Sequence, residues 1–393
     1  MDGIMKLITD ADEHYRSFRT AKVGLDTDTF DSLHYDERPA LAQKVRNKLA
    51  ETNKSGGNIV GVRRDKDIRP IFSYFLDGTR HIYKVDDIGI SNKVYPVLAG
   101  QIIVGCCHRD NSRRDAFATE KLVRKLVMAL PQNFAYDESS EAEELKFCKK
   151  KTEEVNEALR RTRYASSTGL RLDKILLYET DQKKQQDQQD PQDLGRDTYK
   201  DRGTAAIQTE MMDDEQELVH RLCEKNLLDA SNYLIKDGSL QYRANRDHPL
   251  VKMNYEHVVG VSKNFNPESL SALDEDISRT IAQLRPYERT RAYRYCCNNS
   301  DEDMQYAVWY LRLRDNWRRS GTISDVVKCE MVLTGDEISS DTVDMISQNL
   351  LNEAYPVCHG RDTRWERHLY PVFLTESYCK SKYLNEEVIF KIF

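Results

Sequence analysis

The order of apolar and polar positions predicts a helical segment followed by a β-sheet. Residues 1–55 carry apolar side chains at helical spacing among many charges, and they end in the polar, glycine-containing run "ETNKSGGN". β-type runs follow, namely "IFSYFLDG", "HIYKV" and "YPVLAGQIIVGCC". Three such runs joined by short turns predict an antiparallel meander.

Helical spacing returns after the meander. The runs "DAFATEKLVRKLVMALP" and "EAEELKFCKKKTEEVNEALRRTRYA" pair charges four positions apart, which predicts two helices. Residues 181–203 contain almost no apolar side chains. Such a segment cannot bury enough surface to offset its ordering entropy, so we expect a disordered insertion there. Residues 56–393 are otherwise predicted to form one domain in which strands and helices alternate, an α/β fold.

The helix after this insertion carries an acidic residue on its apolar side. At about 100° per residue, one narrow stripe contains Ile207, Met211, Leu218 and Leu222, and Glu215 falls inside that stripe. A glutamate on the core-facing side of an amphipathic helix needs a partner.

Two Asp-Gly pairs flank this helix in the sequence. Asp77 in "YFLDGTRH" and Asp237 in "YLIKDGSL" each follow an apolar, strand-like run. A hairpin turn is one explanation of an Asp-Gly pair. The other is a divalent-metal site, where carboxylates from strands and a helix converge on a hard cation. Together with Glu215, the two aspartates form a coherent candidate set of ligands.

Composition narrows the class of protein. A chain of 393 residues with 39% hydrophobic residues can bury one large core or two modest ones. Its net charge of −6 argues against coating nucleic acid all over but permits a local basic groove. The first residues lack a secretory h-region, and no charge-free stretch is long enough to span a membrane as a helix. Nine scattered cysteines without a CxxC pair favour a reducing cytoplasm.

The order of these elements resembles the NurA nuclease family, which has an RNase H-like fold. The resemblance covers residues of about 60 to 385. It rests on Asp77-Gly78-Thr79, the helix with Glu215, Asp237-Gly238-Ser239, and Gly260-Val261-Ser262-Lys263. It implies an RNase H-like mixed sheet flanked by helices and a metal-dependent deoxyribonuclease.

The C-terminal part departs from the family pattern. Tyr370-Pro371 matches a tyrosine-proline pair, but Tyr378 occupies the place of the histidine that follows it in the family. RNase H-like sites commonly end with an acidic group from the last helix, so we expect Glu376 to substitute; a solvated helix glutamate is the alternative. Lys263 is expected to hold a phosphate or a carboxylate, or else to be a plain strand-end lysine. The implied catalytic residues are Asp77, Glu215, Asp237, Lys263, Tyr370 and Glu376, and the four carboxylates among them are the implied metal ligands.

The resemblance also implies a mechanism and partners. Two Mn²⁺ or Mg²⁺ ions would activate a water molecule and stabilise the leaving 3′-oxygen, with Asp77 touching both ions. The family works as homodimers on a hexameric HerA-type ATPase that feeds DNA to the nuclease, in repair or phage defence. The chain has no GxxxxGK[ST] run, so translocation would come from another chain. A catalytically inactive scaffold for DNA and the ATPase is the alternative, because of the missing histidine and the threonine in "LDGT".

Basic and aromatic residues around the Tyr370 pair are candidate DNA contacts. Arginine and lysine bind phosphates, and aromatic faces stack on unpaired bases. The predicted contacts are Arg361, Arg364, Trp365, Arg367 and Lys380. The apolar tail "EEVIFKIF" is expected either to dock on a partner or to pack within the chain.

Overall fold

Thirteen strands form one mixed sheet in the described part of the chain. The structure is a computed structural model that describes residues 4–9, 14–25, 49–52, 57–110, 117–135, 140–161, 170–180, 198–240, 252–271, 274–296, 304–314, 321–357 and 365–393. The strands are β1 (Tyr15–Ser17), β2 (Val23–Gly24), β3 (Ile59–Gly61), β4 (Phe72–Ile90), β5 (Lys93–Arg109), β6 (Phe117–Pro131), β7 (Lys174–Tyr178), β8 (Tyr233–Asp237), β9 (Val258–Ser262), β10 (Glu288–Thr290), β11 (Tyr293–Tyr295), β12 (Tyr306–Arg312) and β13 (Val326–Val332).

Helices cover both faces of this sheet. They are α1 (Ile4–Thr9), α2 (Glu141–Arg160), α3 (Tyr199–Glu224), α4 (Ile277–Gln283), α5 (Ser340–Glu353), α6 (Tyr370–Lys380) and α7 (Glu386–Ile392). The predicted apolar stripe of α3 is buried in one core, and residues of α5 and α6 pack with the opposite face of the central strands in another. The predicted α/β class, a mixed sheet flanked by helices, is therefore confirmed.

The central sheet order is β6-β5-β4-β8-β9, followed by β13, β12, β10 and β3 on one side and by β7 on the other. Strands β4, β5 and β6 are antiparallel neighbours, whereas β8 and β9 run parallel to β4. The meander is thus present, but "IFSYFLDG" and "HIYKV" are two parts of one strand. The 19 residues of β4 and the 17 of β5 form a long hairpin that turns at Ser91, whose φ is 54°.

One predicted helix is wrong. The run "DAFATEKLVRKLVMALP" supplies β6, which hydrogen-bonds to β5 along one edge and to β7 along the other. Residues 126–130 of this strand are all buried. Charges four positions apart favour a helix only locally, and the pairing of both strand edges with burial of this apolar run overrides that preference.

The insertion is shorter than expected at its C-terminal end. Helix α3 begins at Tyr199, and Thr198 and Asp201 cap it reciprocally through side chain and backbone. Residues 199–203 are therefore helical. Residues 181–197 lie outside the described part of the chain.

The two ends of the chain pack together. Most of residues 1–55 lie outside the described residues; those described form α1, β1 and β2, of which β1 and β2 pair with β4. The tail "EEVIFKIF" forms α7, whose Ile389 and Ile392 are buried with Ile4 of α1. The tail thus packs within the chain. Among the described helices, none has the length and apolar character needed to cross a membrane.

Candidate active site

The two Asp-Gly aspartates lie side by side on neighbouring strands. In the parallel pair of β4 and β8, Leu76 is aligned with Lys236, so Asp77 and Asp237 follow at the same level. Strand β8 ends at Asp237, and the next residue, Gly238, has φ +89°, a backbone conformation that favours glycine. Asp77 differs from the prediction because β4 continues through it to Ile90. Asp77 is therefore inside a strand, opposite Gly105 of β5, and not at a strand end.

Four side chains converge at this point. The Nζ of Lys263, one residue after β9, lies 2.9 Å from Asp237 Oδ2 and 3.4 Å from Glu376 Oε2 of α6. Asp77 and Asp237 lie close enough for the charge of Asp237 to raise the pKa of Asp77. Asp77 is only 4% exposed, and its Oδ2 is buried without a hydrogen-bond partner among the described residues. We call Asp77, Asp237, Glu376 and Lys263 the acidic cluster.

The charges of this cluster are incompletely balanced. Burial, together with the charges of Asp237 and Glu376, raises the pKa of Asp77 well above its ordinary value. Burial alone would raise the pKa of Glu376, but Lys263 and Lys380 outweigh it and lower that pKa to about 2. Burial lowers the pKa of Lys263, yet the three carboxylates more than compensate and raise it. The cluster therefore contains three acids and one buried ammonium group, that of Lys263.

Glu215 is buried as predicted, but it lies on the other face of the sheet. A Cβ at position 78 would collide with Glu215 Oε1, so only glycine lets this carboxylate pack against β4. Neighbouring residues of a strand point to opposite faces, which separates Glu215 from the side chain of Asp77. Its Oε2 lies 3.0 Å from the Nζ of Lys236. The partner that the sequence demanded is thus a buried lysine, and the structure does not bring Glu215 into the acidic cluster.

A second acidic group, missed by the sequence analysis, fixes the segment after Asp237. Glu330 and Lys328 of β13 are fully buried, and their charged atoms lie 2.6 Å apart. Glu330 Oε2 also accepts hydrogen bonds of 2.8 Å from Ser239 Oγ and from the backbone N–H of Leu240. The available signal was the pair of charges two positions apart within the apolar run "VVKCEMV", which places both on one face of a strand.

The predicted DNA contacts have different environments. Arg361 and Arg364 lie outside the described residues, and Trp365 is half-buried in a short 3₁₀ turn. The Arg367 guanidinium donates to the backbone carbonyls of Lys263, Ser324 and Ile323. Its observed contacts therefore hold the backbone beside the acidic cluster. Lys380 is largely exposed, and its Nζ lies 2.7 Å from Glu376 Oε1.

Tyr370 lies apart from Glu376 on α6. It is the first residue of the helix, half-buried, and six positions before Glu376. Six positions correspond to about 240° around the helix axis, so the two side chains point to different sides. A histidine does lie near the cluster, but before α6: His368 is buried, and its charge contributes to the lowered pKa of Glu376.

An aromatic surface extends from the cluster along β4. Asp77, Thr79 and His81 follow one another on the same face of the strand, each about 7 Å from the next. The exposed His81 ring stacks on Tyr383 with a centroid distance of 4.4 Å, and the Tyr383 hydroxyl lies 2.6 Å from Thr79 Oγ1. The ammonium of Lys382 lies 4.5 Å from the ring centre of Tyr378. The sequence analysis did not single out the His81–Tyr383 pair, which is formed by residues 302 positions apart in the chain.

The donor atoms of the acidic cluster suit a hard divalent cation. Carboxylate oxygens are the ligands that Mg²⁺ and Mn²⁺ prefer, and the buried Oδ2 of Asp77 is an acceptor without a donor. In the part of the chain that the structure describes, however, no three His, Cys, Asp or Glu side chains are grouped to hold a metal ion together. Lys263 lies between Asp237 and Glu376, and Glu215 lies on the other face of the sheet.

Comparison with known proteins leaves the site to be interpreted from its own geometry. No protein-family model matches the sequence, and no curated protein matches it.

Proposed function

We propose that this chain is a metal-dependent deoxyribonuclease of the NurA type. The observation that carries the proposal is the acidic cluster, in which Asp77 and Asp237 from adjacent parallel strands meet Glu376 of α6. Buried carboxylates with incomplete charge compensation are costly for folding and are characteristic of functional sites.

The connectivity of the central strands supports an RNase H-like assignment. Three antiparallel strands, β4 to β6, precede α3, and two strands parallel to β4 follow it. This is the order of elements on which the resemblance to the NurA family rests. The first and fourth of these five strands carry the two Asp-Gly pairs.

The chain's own side chains suggest how the site would work. Asp77 and Asp237 would hold Mn²⁺ or Mg²⁺, which would polarise the phosphodiester and a bound water. The Lys263 ammonium would face a phosphate oxygen, since Asp237 and Glu376 hold its charge inside the cluster. Glu376 would orient this lysine. Glu215, held by Lys236, would support the backbone of Gly78 and thereby the position of Asp77.

Substrate binding would use the surface beside the cluster. Lys380 and Lys382 offer positive charge, and His81 on Tyr383 offers an exposed ring for stacking on a base. A homodimer and a HerA-type hexameric ATPase, acting with the chain in the cytoplasm in repair or phage defence, are the partners and setting that the resemblance implies, and they remain part of this proposal.

A catalytically inactive scaffold for DNA and the ATPase is the second candidate. The observation in its favour is that Lys263 already neutralises part of the acidic cluster and that the described residues hold no ready group of three metal ligands. The two candidates differ in whether metal-dependent cleavage occurs.

Cleavage of linear single- and double-stranded DNA tests the proposal directly. The purified chain would be assayed with Mn²⁺, with Mg²⁺ and with EDTA, alone and with a HerA-type ATPase and ATP. We expect metal-dependent cleavage that falls at least about 10³-fold in Asp77→Asn and Asp237→Asn.

The matched control is Asp87→Asn, on the same strand but paired with Lys84, 2.8 Å away. It should cleave like the unmodified chain. Normal cleavage by Asp77→Asn would refute the site assignment, and silence under all conditions would favour the scaffold.

A further inference from the structure

The ammonium group of Lys263 lies among the carboxylates of the acidic cluster, where a bound metal ion would be expected. Its ammonium group is buried and contacts carboxylates from two different elements, Asp237 at the end of β8 and Glu376 on α6. Its backbone carbonyl accepts a hydrogen bond from Arg367. The lysine is therefore fixed at both ends, by Arg367 at the backbone and by the acids at the side chain.

The carboxylate oxygens left over are few. Glu376 uses Oε2 for Lys263 and Oε1 for Lys380, and Asp237 uses Oδ2 for Lys263. Glu215 lies behind β4 and pairs with Lys236. The unsatisfied buried oxygen of the cluster is Asp77 Oδ2. A pair of divalent ions about 4 Å apart needs carboxylates on both sides of it, whereas the cluster oxygens outside these ion pairs are those of Asp77 and Oδ1 of Asp237.

We propose that Lys263 is the resident second cation of this site, so that the chain binds a single divalent ion where a two-metal nuclease binds two. This inference rests on the proposed function. During hydrolysis, the water oxygen forms a bond to phosphorus, the bond from phosphorus to the leaving oxygen breaks, and a proton from the water ends on that oxygen. Lys263 stabilises the negative charge that builds up on the phosphoryl oxygens.

Counting bound ions tests this inference without relying on catalysis. The 393-residue chain, freed of metal, would be titrated with Mn²⁺ while free Mn²⁺ is measured by electron paramagnetic resonance. We expect one ion per chain. Two ions of comparable affinity would overturn the role of Lys263 but leave the nuclease proposal standing. Binding of no ion would overturn both.

Substitution of the lysine sharpens the test. In Lys263→Met the acids lose their internal cation, so we expect either a second Mn²⁺ ion or binding of the first that is at least about tenfold tighter. Lys263→Arg keeps the charge and should bind one ion. Unchanged stoichiometry and affinity in Lys263→Met would contradict the inference.

The matched control is Lys125→Met. It removes a lysine that also contacts two carboxylates, Glu210 and Asp214, but these lie on α3, away from the acidic cluster. Its Mn²⁺ stoichiometry should remain one. Thermal unfolding followed by circular dichroism shows whether each variant is folded; if Lys263→Met is not, the unmodified chain and Lys263→Arg still decide the number of ions.

Discussion

The acidic cluster and the Lys328–Glu330 pair are both built on the same sheet, but they differ in how far neighbouring groups compensate their buried charges. Glu330 has a lysine at 2.6 Å and two further hydrogen-bond donors, and burial would raise its pKa but these partners lower it. Asp77 has a raised pKa and an unsatisfied buried oxygen. The fully compensated pair positions the chain after Asp237, whereas the undercompensated cluster is where we propose that a divalent cation binds.

The largest expected effect on stability comes from breaking the compensated pair. Lys328→Met would leave Glu330 as a buried carboxylate without its cation, which we expect to reduce the free energy of unfolding by about 3–5 kcal/mol. Equilibrium urea denaturation measures this loss. The matched control is Lys174→Met, which removes a partly exposed lysine from Glu210 while Lys125 remains in contact with that glutamate. A loss for Lys328→Met no larger than for this control would mean that the pair is not important for folding.

Substituting the carboxylates should change the free energy of unfolding in opposite directions for the pair and for the acidic cluster. We expect Glu330→Gln to destabilise the fold, because it loses a charged acceptor for Lys328, Ser239 and Leu240. Asp77→Asn should instead raise the free energy of unfolding at pH 7 by about 1 kcal/mol, because it removes a buried charge that lacks full compensation. Destabilisation by both substitutions to the same extent would contradict the distinction.

Acidification provides an independent comparison. The folded-state pKa of Glu330 lies below its ordinary value of 4.5, so its stabilising contribution is present above that pH and is lost as the pH falls through the folded-state pKa. The pKa of Asp77 is raised, so its contribution is present below its ordinary value of 3.8 and is lost as the pH rises through the folded-state value. Urea denaturation of Glu330→Gln and Asp77→Asn between pH 3 and about 7 would show these opposite slopes relative to the unmodified chain.

Local patterns in the sequence predicted the α3 face correctly but not the partner of its glutamate. Helical periodicity is enough to place Glu215 among Ile207, Met211 and Leu218, and all four are buried. Its partner depends on which face of β4 and β8 meets α3. That face carries Gly78 and Lys236, each adjacent in sequence to a candidate aspartate. Because neighbouring residues of a strand point to opposite faces, a shift of one position decides whether Glu215 meets an aspartate or these two residues.

Other features depend on contacts between distant segments. Strand β6 was predicted as a helix because its charges are spaced for one, and only its pairing with β5 and β7 makes it a strand. The acidic cluster joins residues that lie between positions 77 and 376 of the chain. Its two aspartates could be predicted because an Asp-Gly pair is visible in the local sequence. Lys263 was predicted to hold a phosphate or a carboxylate, but only the fold shows that the carboxylates it contacts are those of Asp237 and Glu376.

The smallest expected effect concerns the aromatic surface beyond Asp77. If His81 on Tyr383 stacks on a base of the substrate, His81→Ala should weaken the binding of single-stranded DNA by about tenfold at constant salt, since stacking contributes about 1–3 kcal/mol per base. His81→Phe retains a stacking ring and should bind as the unmodified chain does. Fluorescence anisotropy measures the binding. All variants would also carry Asp77→Asn, so that the DNA is not cleaved during the measurement. Equal affinities for the alanine and phenylalanine variants would show that the ring does not contact a base, and would leave the acidic cluster as the part of this face with an assigned role.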